Sequence, residues 1–188
     1  MAVATPAQGP AGPLVRFHFN VSDRLAYVHT MLSKTARRSL QVAVLGPRPL
    51  LDELSRRLWT TDDISFIAHQ RWPGAGAPAS AHNRIWLIEV GRGGGDGVEA
   101  EVGDEASAES IDGSSDAVFL HAAASGVNAP VLINLSRKIP LHWPGLSTLV
   151  EVVPLDADER DAGRRRWKTY QAQGLTIESV DARGENGI

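Results

Sequence analysis

An α/β fold with a mostly parallel central sheet is what this sequence predicts, and three observations carry that expectation. Short β-rich apolar runs alternate along the chain with segments whose apolar residues recur at helical spacing. Two runs in the second half, "VLINLS" (131–136) and "TLVEVVP" (148–154), have the composition of strands buried on both faces. The chain has 188 residues, 43% hydrophobic and 22% charged, enough for one domain with a sizeable core. Strands that alternate with helices pair in parallel through right-handed crossovers.

The elements follow in order. "LVRFHF" (14–19) alternates and reads as a strand. Ser22 offers an N-cap for a helix with Leu25, Val28, Leu32 and Ala36 on one face. "LQVAVLG" (40–46) is a buried strand, and "PRPLLDELSRRLW" (47–59) is a second helix burying Leu50, Leu51, Leu54 and Leu58. "SFIAH" (65–69) and "RIWLIEV" (84–90) are short strands. After the runs at 131–136 and 148–154, Asp156 or Asp158 caps a last helix over about 157–173, which Gly174 ends. "LTIESV" (175–180) closes the sheet. The domain therefore spans 14–182. Residues 1–13, rich in Pro, Gly and Ala, and residues 183–188 read as flexible ends.

The formal net charge of −3 hides an uneven distribution. Between Gly93 and Ser136 there is no Lys or Arg, but there are eight acids. Taking those from the 22 Asp and Glu leaves 14 against 19 basic residues, an excess of five positive charges. The segment at about 91–116, "GRGGGDGVEAEVGDEASAESIDGSSD", is too poor in apolar residues to offset its ordering entropy, and reads as a mobile insertion. The chain has no Cys, which excludes disulfides and thiolate chemistry. With no secretory pattern at the start and no apolar run near ~20 residues, the expected location is the cytoplasm, with no membrane contact.

Enzyme chemistry finds little support. No G-x-G-x-x-G, Walker-type phosphate loop or G-x-S-x-G elbow occurs. "GRGGGDG" has neither a following helix nor a lysine to reach a phosphate. The histidines at 18, 29, 69, 82, 121 and 142 form no H-x-x-x-H pair. No catalytic residue, metal ligand or cofactor is assigned. A Rossmann-like nucleotide-binding protein or enzyme, built from residues distant in sequence, stays open as the alternative.

What stands out is "RDAGRRRWKTYQAQG" (160–174). At 100° per residue, Arg160, Arg164, Lys168 and Gln171 share one stripe. Gly163, Trp167 and Tyr170 lie beside it, on the core-facing edge. Arg165 and Thr169 point away, and Arg166 lies off the stripe. A basic strip bordered by an aromatic ring suits a carboxylate-bearing peptide with an apolar end. It equally describes a solvated helix face whose cations complement the macrodipole. A single nucleic-acid strand is a third reading, opposed by the short strip and the acidic insertion.

"FHFNVSDRLAYVHTMLSK", "LDELSRRLWTTDDISFIAH" and "VLINLS…VEVVPLDADERDAGRRRWKTYQAQG" resemble, in order and spacing, the chi subunit family of DNA polymerase III. The resemblance covers about 14–90 and 130–180. It implies a Rossmann-like three-layer domain with a mostly parallel central sheet and no nucleotide-binding loop. It also implies a non-catalytic accessory subunit of the clamp loader. Such a subunit pairs with the psi subunit and grips the acidic C-terminal tail of single-stranded DNA-binding protein, whose last residue is Phe, so that DNA is met only indirectly. The family's tail-binding positions fall on Arg160, Arg164, Trp167 and Lys168, with Val153 and Gly174 nearby. Trp167 stands where a Tyr can occur, which keeps the aromatic shelf and loses a hydroxyl. Trp59 and Phe66 match positions associated with psi contact, and core packing explains them equally well.

Overall fold

The computed structural model describes residues 12–60, 67–72, 84–90, 117–119, 129–141 and 145–184. In chain order the elements are β1 (Leu14–Val21), α1 (Arg24–Arg37), β2 (Val42–Gly46), α2 (Arg48–Thr60), β3 (His69–Arg71) and β4 (Ile85–Glu89). They continue with β5 (Ala117–Phe119), β6 (Val131–Asn134), β7 (Ile139–Leu141), β8 (Thr148–Pro154), α3 (Ala157–Ala172) and β9 (Ile177–Asp181). Seven strands form one sheet in the order β3-β4-β2-β6-β8-β1-β9, and every neighbouring pair is parallel. The fold is a three-layer, Rossmann-like α/β sandwich.

Chain direction decides which face each helix covers. From β1 to β2 and from β2 to β3 the chain moves one way across the sheet, and from β8 to β9 it moves the other way. Right-handed crossovers then place α1 and α2 on one face and α3 on the opposite face. The core divides accordingly. Leu25, Val28 and Leu32 of α1 and Leu51, Leu54 and Leu58 of α2 pack on Val42, Val44, Ile133 and Val150. Ala43, Leu45, Leu132 and Leu149 face the other way, with Tyr170 and Trp167 of α3. Successive strand residues point to opposite faces, so a strand buried on both must be apolar throughout.

Several boundaries differ from the sequence expectation. Asp23, not Ser22, caps α1: its carboxylate accepts from the backbone N–H of Leu25 at 2.9 Å and of Ala26 at 3.0 Å. Asp and Ser cap about equally well, so only the chain's path out of β1 separates them. The strand expected at 65–69 begins at His69 and runs to Arg71, with Ile67 and Ala68 before it. β5 and β7, which pair as a separate two-stranded ribbon, were not expected. Their three residues each are too short for a periodic pattern, and Pro140 counts against a strand. The acidic segment at 91–116 and Phe66 lie outside the described residues.

Near the end of β1 the ladder to β8 shifts between His18 and Val21, and Asn20 adopts φ 61°, a left-handed conformation that Asn tolerates better than most residues. The N-termini of α1 and α3 are tied together nearby. Arg24 pairs with Glu159 at 2.8 Å, and Arg137 reaches the same carboxylate at 2.8 Å. Burial pushes the Glu159 carboxyl upward, but the Arg137 hydrogen bond and the Arg24 charge outweigh it, and its pKa is held below the ordinary value.

Two outcomes follow. In urea denaturation, Asp23→Ala should cost about 1 kcal/mol, the usual worth of a cap, while Ser22→Ala stays within about 0.5 kcal/mol. Equal losses would return the cap to Ser22. A carboxyl with a depressed folded-state pKa contributes stability above its unfolded pKa of about 4.3 and loses it as pH falls through the lower folded value. Glu159→Gln should therefore narrow its stability deficit relative to the parent as the pH is lowered below about 4, measured by thermal melts across pH. A deficit independent of pH would sink the assignment.

Candidate functional site

α3 carries the residues singled out from the sequence. Asp156 caps it through a bond from the Glu159 N–H at 3.1 Å. Gly174 ends it with φ 71°, and the Leu175 N–H closes on the Tyr170 carbonyl at 3.1 Å. Against β8 the helix lies close: a methyl added at Gly163 would stand 3.1 Å from Val153 Cγ2. Glycine is what this approach requires.

The rotation of α3 about its axis is set by a buried carboxylate. Glu151, in the middle of β8, has no exposure, and Arg166 retains 3%. Arg166 donates to Glu151 Oε2 from Nε at 2.9 Å and from Nη2 at 2.9 Å. The Tyr170 hydroxyl donates to Oε1 at 2.7 Å, and Asn134 Nδ2 donates to the same oxygen at 2.9 Å. Asn134 Nδ2 also donates to the Lys138 carbonyl, and its Oδ1 accepts from the N–H and hydroxyl of Ser136. Burial, and then the Glu151 charge, push the Tyr170 phenol far above its ordinary pKa, so it remains a donor. Arg166, expected off the exposed stripe and given no role, proves to be the anchor of the helix. The signal lay in "TLVEVVP": an acid inside an otherwise apolar buried strand demands a cationic partner.

With that face turned inward, the opposite edge of α3 borders a pocket of about 700 Å³ over β1 and β9. Its floor is Phe17, Phe19 and Val153, with Ser179 at one side. Its wall on α3 is Arg160, Gly163, Arg164, Trp167 and Lys168. Phe17 packs on Trp167 with ring centroids 4.9 Å apart, and on Tyr170 at 6.0 Å. Phe19 keeps 36% of its surface exposed. Arg160 donates to Asn20 Oδ1 at 3.1 Å, and Asn20 Nδ2 to Asp181 Oδ2 at 3.1 Å. Arg164 pairs with Asp161, one turn away on its own helix. Lys168 has no ion pair among the described residues.

The structure thus brings five of the six predicted residues, Arg160, Arg164, Trp167, Lys168 and Val153, to one pocket. Gly174 stands apart, beyond the helix end, with open space around it. Phe17, Phe19, Asn20 and Ser179 were missed, since their strands show alternation but not which face meets α3. Chemically, the pocket offers an apolar floor for a ring and a cationic rim for carboxylates. Elsewhere, Trp59 is 58% exposed, which removes core packing as its explanation. Its ring meets His69 edge-on at 5.7 Å, and His69 Nε2 bonds the Ser55 hydroxyl at 2.8 Å. Among the described residues no cluster of three His, Asp or Glu could hold a metal, and no helix is long and apolar enough to cross a membrane.

The buried network makes its own prediction. Glu151→Ala should cost about 3–5 kcal/mol in urea denaturation, because it leaves the Arg166 guanidinium buried and unpaired. Glu151→Leu combined with Arg166→Met should recover most of that loss. A single variant as stable as the parent would remove the network from its anchoring role.

A family model described as DNA polymerase III chi subunit, HolC, matches residues 13–102 and 100–178. No curated protein matches the chain.

Proposed function

The chain belongs to the DNA polymerase III chi subunit family, and from that premise we propose that it is a non-catalytic accessory subunit of the clamp loader. In this reading the α3 pocket receives the acidic C-terminal tail of single-stranded DNA-binding protein. The tail's terminal Phe enters over Phe17, Phe19 and Trp167, and its carboxylates meet Arg160, Lys168 and Arg164. The observation that carries the reading is the meeting of an aromatic floor and a cationic rim in one pocket. On the other side of the sheet, exposed Trp59 is offered to the psi subunit, which would link tail and replicase.

The three cations are not equivalent. Arg164 already has a carboxylate partner in Asp161, so an incoming carboxylate exchanges one ion pair for another. Arg160 is engaged only by the neutral Asn20 amide, and Lys168 by no carboxylate among the described residues. Charged hydrogen bonds of about 1.5–3 kcal/mol each, reduced by exposure and ordering costs, with one buried ring, give about −8 kcal/mol, or micromolar affinity.

Calorimetric titration with a synthetic acidic peptide ending in Pro-Phe should give micromolar binding that weakens with salt. Lys168→Ala should reduce affinity about tenfold or more, and Arg164→Ala by less. Trp59→Ala should leave peptide binding intact and weaken capture of psi. A folded parent protein that does not bind the peptide would overturn the reading.

A further inference from the structure

A second groove lies on the face opposite the α3 pocket. It has a volume of about 970 Å³ and runs along α1 beside β8 and β1. Asp23, Ala26, Thr30, Lys34 and Arg38 border it along one stripe of α1, a length of about 22 Å at 1.5 Å per residue. Val150, Thr148 and His18 belong to its floor, and Arg16 to its far bank.

Several cations near one end of this groove form no ion pair among the described residues. α1 crosses back over the sheet, so its C-terminus stands where the parallel strands begin. Lys34, Arg37 and Arg38 are there, and Arg84, just before β4, joins them by donating to the Ser39 carbonyl at 2.6 Å. Among the described residues none of these four forms an ion pair. Arg16 faces them across the groove and holds Glu178 at 2.9 Å. Carboxylates stand at the other end, where the strands finish: Glu89 closing β4, Asp156 and Asp158 at the start of α3, and Asp181 closing β9. Two cations in the last turn complement the α1 dipole. That accounts neither for Arg84 nor for the open channel leading away.

We propose that this end of the molecule and the groove beside α1 bind the phosphate backbone of single-stranded DNA. Unpaired cations beside a channel along a helix suit one chain of regularly spaced anions. The groove follows one helix, with Lys34 and Arg38 on that bank and Arg16 on the other, an arrangement that a single strand can track. The Thr30 and Thr35 hydroxyls along it donate to the helix carbonyls of Ala26 and Leu32, so phosphate contacts fall to the cations, which attract a backbone without regard to base. The groove lacks the exposed aromatic platforms of high-affinity single-strand binders, so the contact is weak alone. A second site gains its worth once the first is occupied, because tethering raises the effective concentration of strand. The assignment stands on the α1 groove and does not depend on the tail reading.

The test is fluorescence anisotropy of a labelled oligothymidylate titrated with the full-length chain. Binding should be measurable at about 20 mM salt and should fall with a log–log salt slope near −2, as for about three phosphates at ~0.7 each. Lys34→Glu with Arg38→Glu should weaken it about tenfold or more, and the milder Lys34→Gln, Arg38→Gln pair less, with circular dichroism unchanged. The acidic Pro-Phe peptide should not displace the oligonucleotide. The assignment fails if the parent protein binds no strand at low salt, if blunt duplex binds as tightly, or if only Arg160 and Lys168 variants lose binding. It also fails if polyglutamate of equal charge binds as well through the same residues, which would make the surface a dock for an acidic protein segment.

Discussion

A carboxylate with no access to water must be met by donors, and in this protein meeting that demand fixes the position of the working helix. Glu151 sits at the centre of β8, and its three partners come from two elements: Arg166 and Tyr170 on α3, and Asn134 at the end of β6. The guanidinium fork and the phenol reach the same carboxylate only if α3 holds one rotation and one height above the sheet. A buried ion pair adds little net stability over an apolar pair of similar shape. Its consequence here is geometric: with Arg166 and Tyr170 turned inward, Arg160, Arg164 and Lys168 must face outward.

Gly163 and Asn20 complete that arrangement from either side. Without a side chain at Gly163, α3 lies against Val153, beside the pocket where Phe19 is exposed next to buried Phe17. The left-handed turn at Asn20 interrupts the β1 ladder and points its amide between Arg160 and Asp181. A bulge near a sheet edge commonly re-aims a side chain in this way. One irregular residue thus borders both grooves, since Asn20 lines the α3 pocket and the α1 channel alike.

How legible this was depends on the length scale of each feature. Helices of 13 to 16 residues write their buried faces into the sequence at i, i+3 and i+4, so Leu25, Val28, Leu32, Leu51, Leu54 and Leu58 could be named in advance. The largely apolar runs of β6 and β8 announced strands buried on both sides. Five pocket residues could be placed because they lie on one helix stripe or belong to a resembling motif. The aromatic floor could not, because alternation along β1 tells that Phe17 and Phe19 share a face and not which helix covers it. The role of Arg166, placed off the stripe, could not be read for a related reason. A wheel gives angles, and only the partner on β8 decides which angle is inward. β5 and β7 fall below the length at which periodicity carries information.

Net charge was the least informative number of all. A sum of −3 describes neither the described part of the molecule nor either of its grooves, because paired charges cancel locally while unpaired ones do not. Arg24, Arg57 and Arg137 are spent on Asp23, Glu53 and Glu159, and they hold elements together rather than attracting ligands. What a passing anion meets is the remainder among the described residues, which includes Arg160 and Lys168 beside the α3 pocket, Arg165 and Lys138 apart from it, and Lys34, Arg37, Arg38 and Arg84 at the foot of the sheet. Within about 10 Å at moderate salt these local remainders, and not the distant acids, set the potential that a ligand feels. The same physics sorts the two surfaces by strength. Beside Arg160 and Lys168 lies an apolar floor that a ring can leave water to cover, which salt does not screen. Beside Lys34 and Arg38 there are mainly hydroxyls and a sheet face, so attraction there rises and falls with ionic strength.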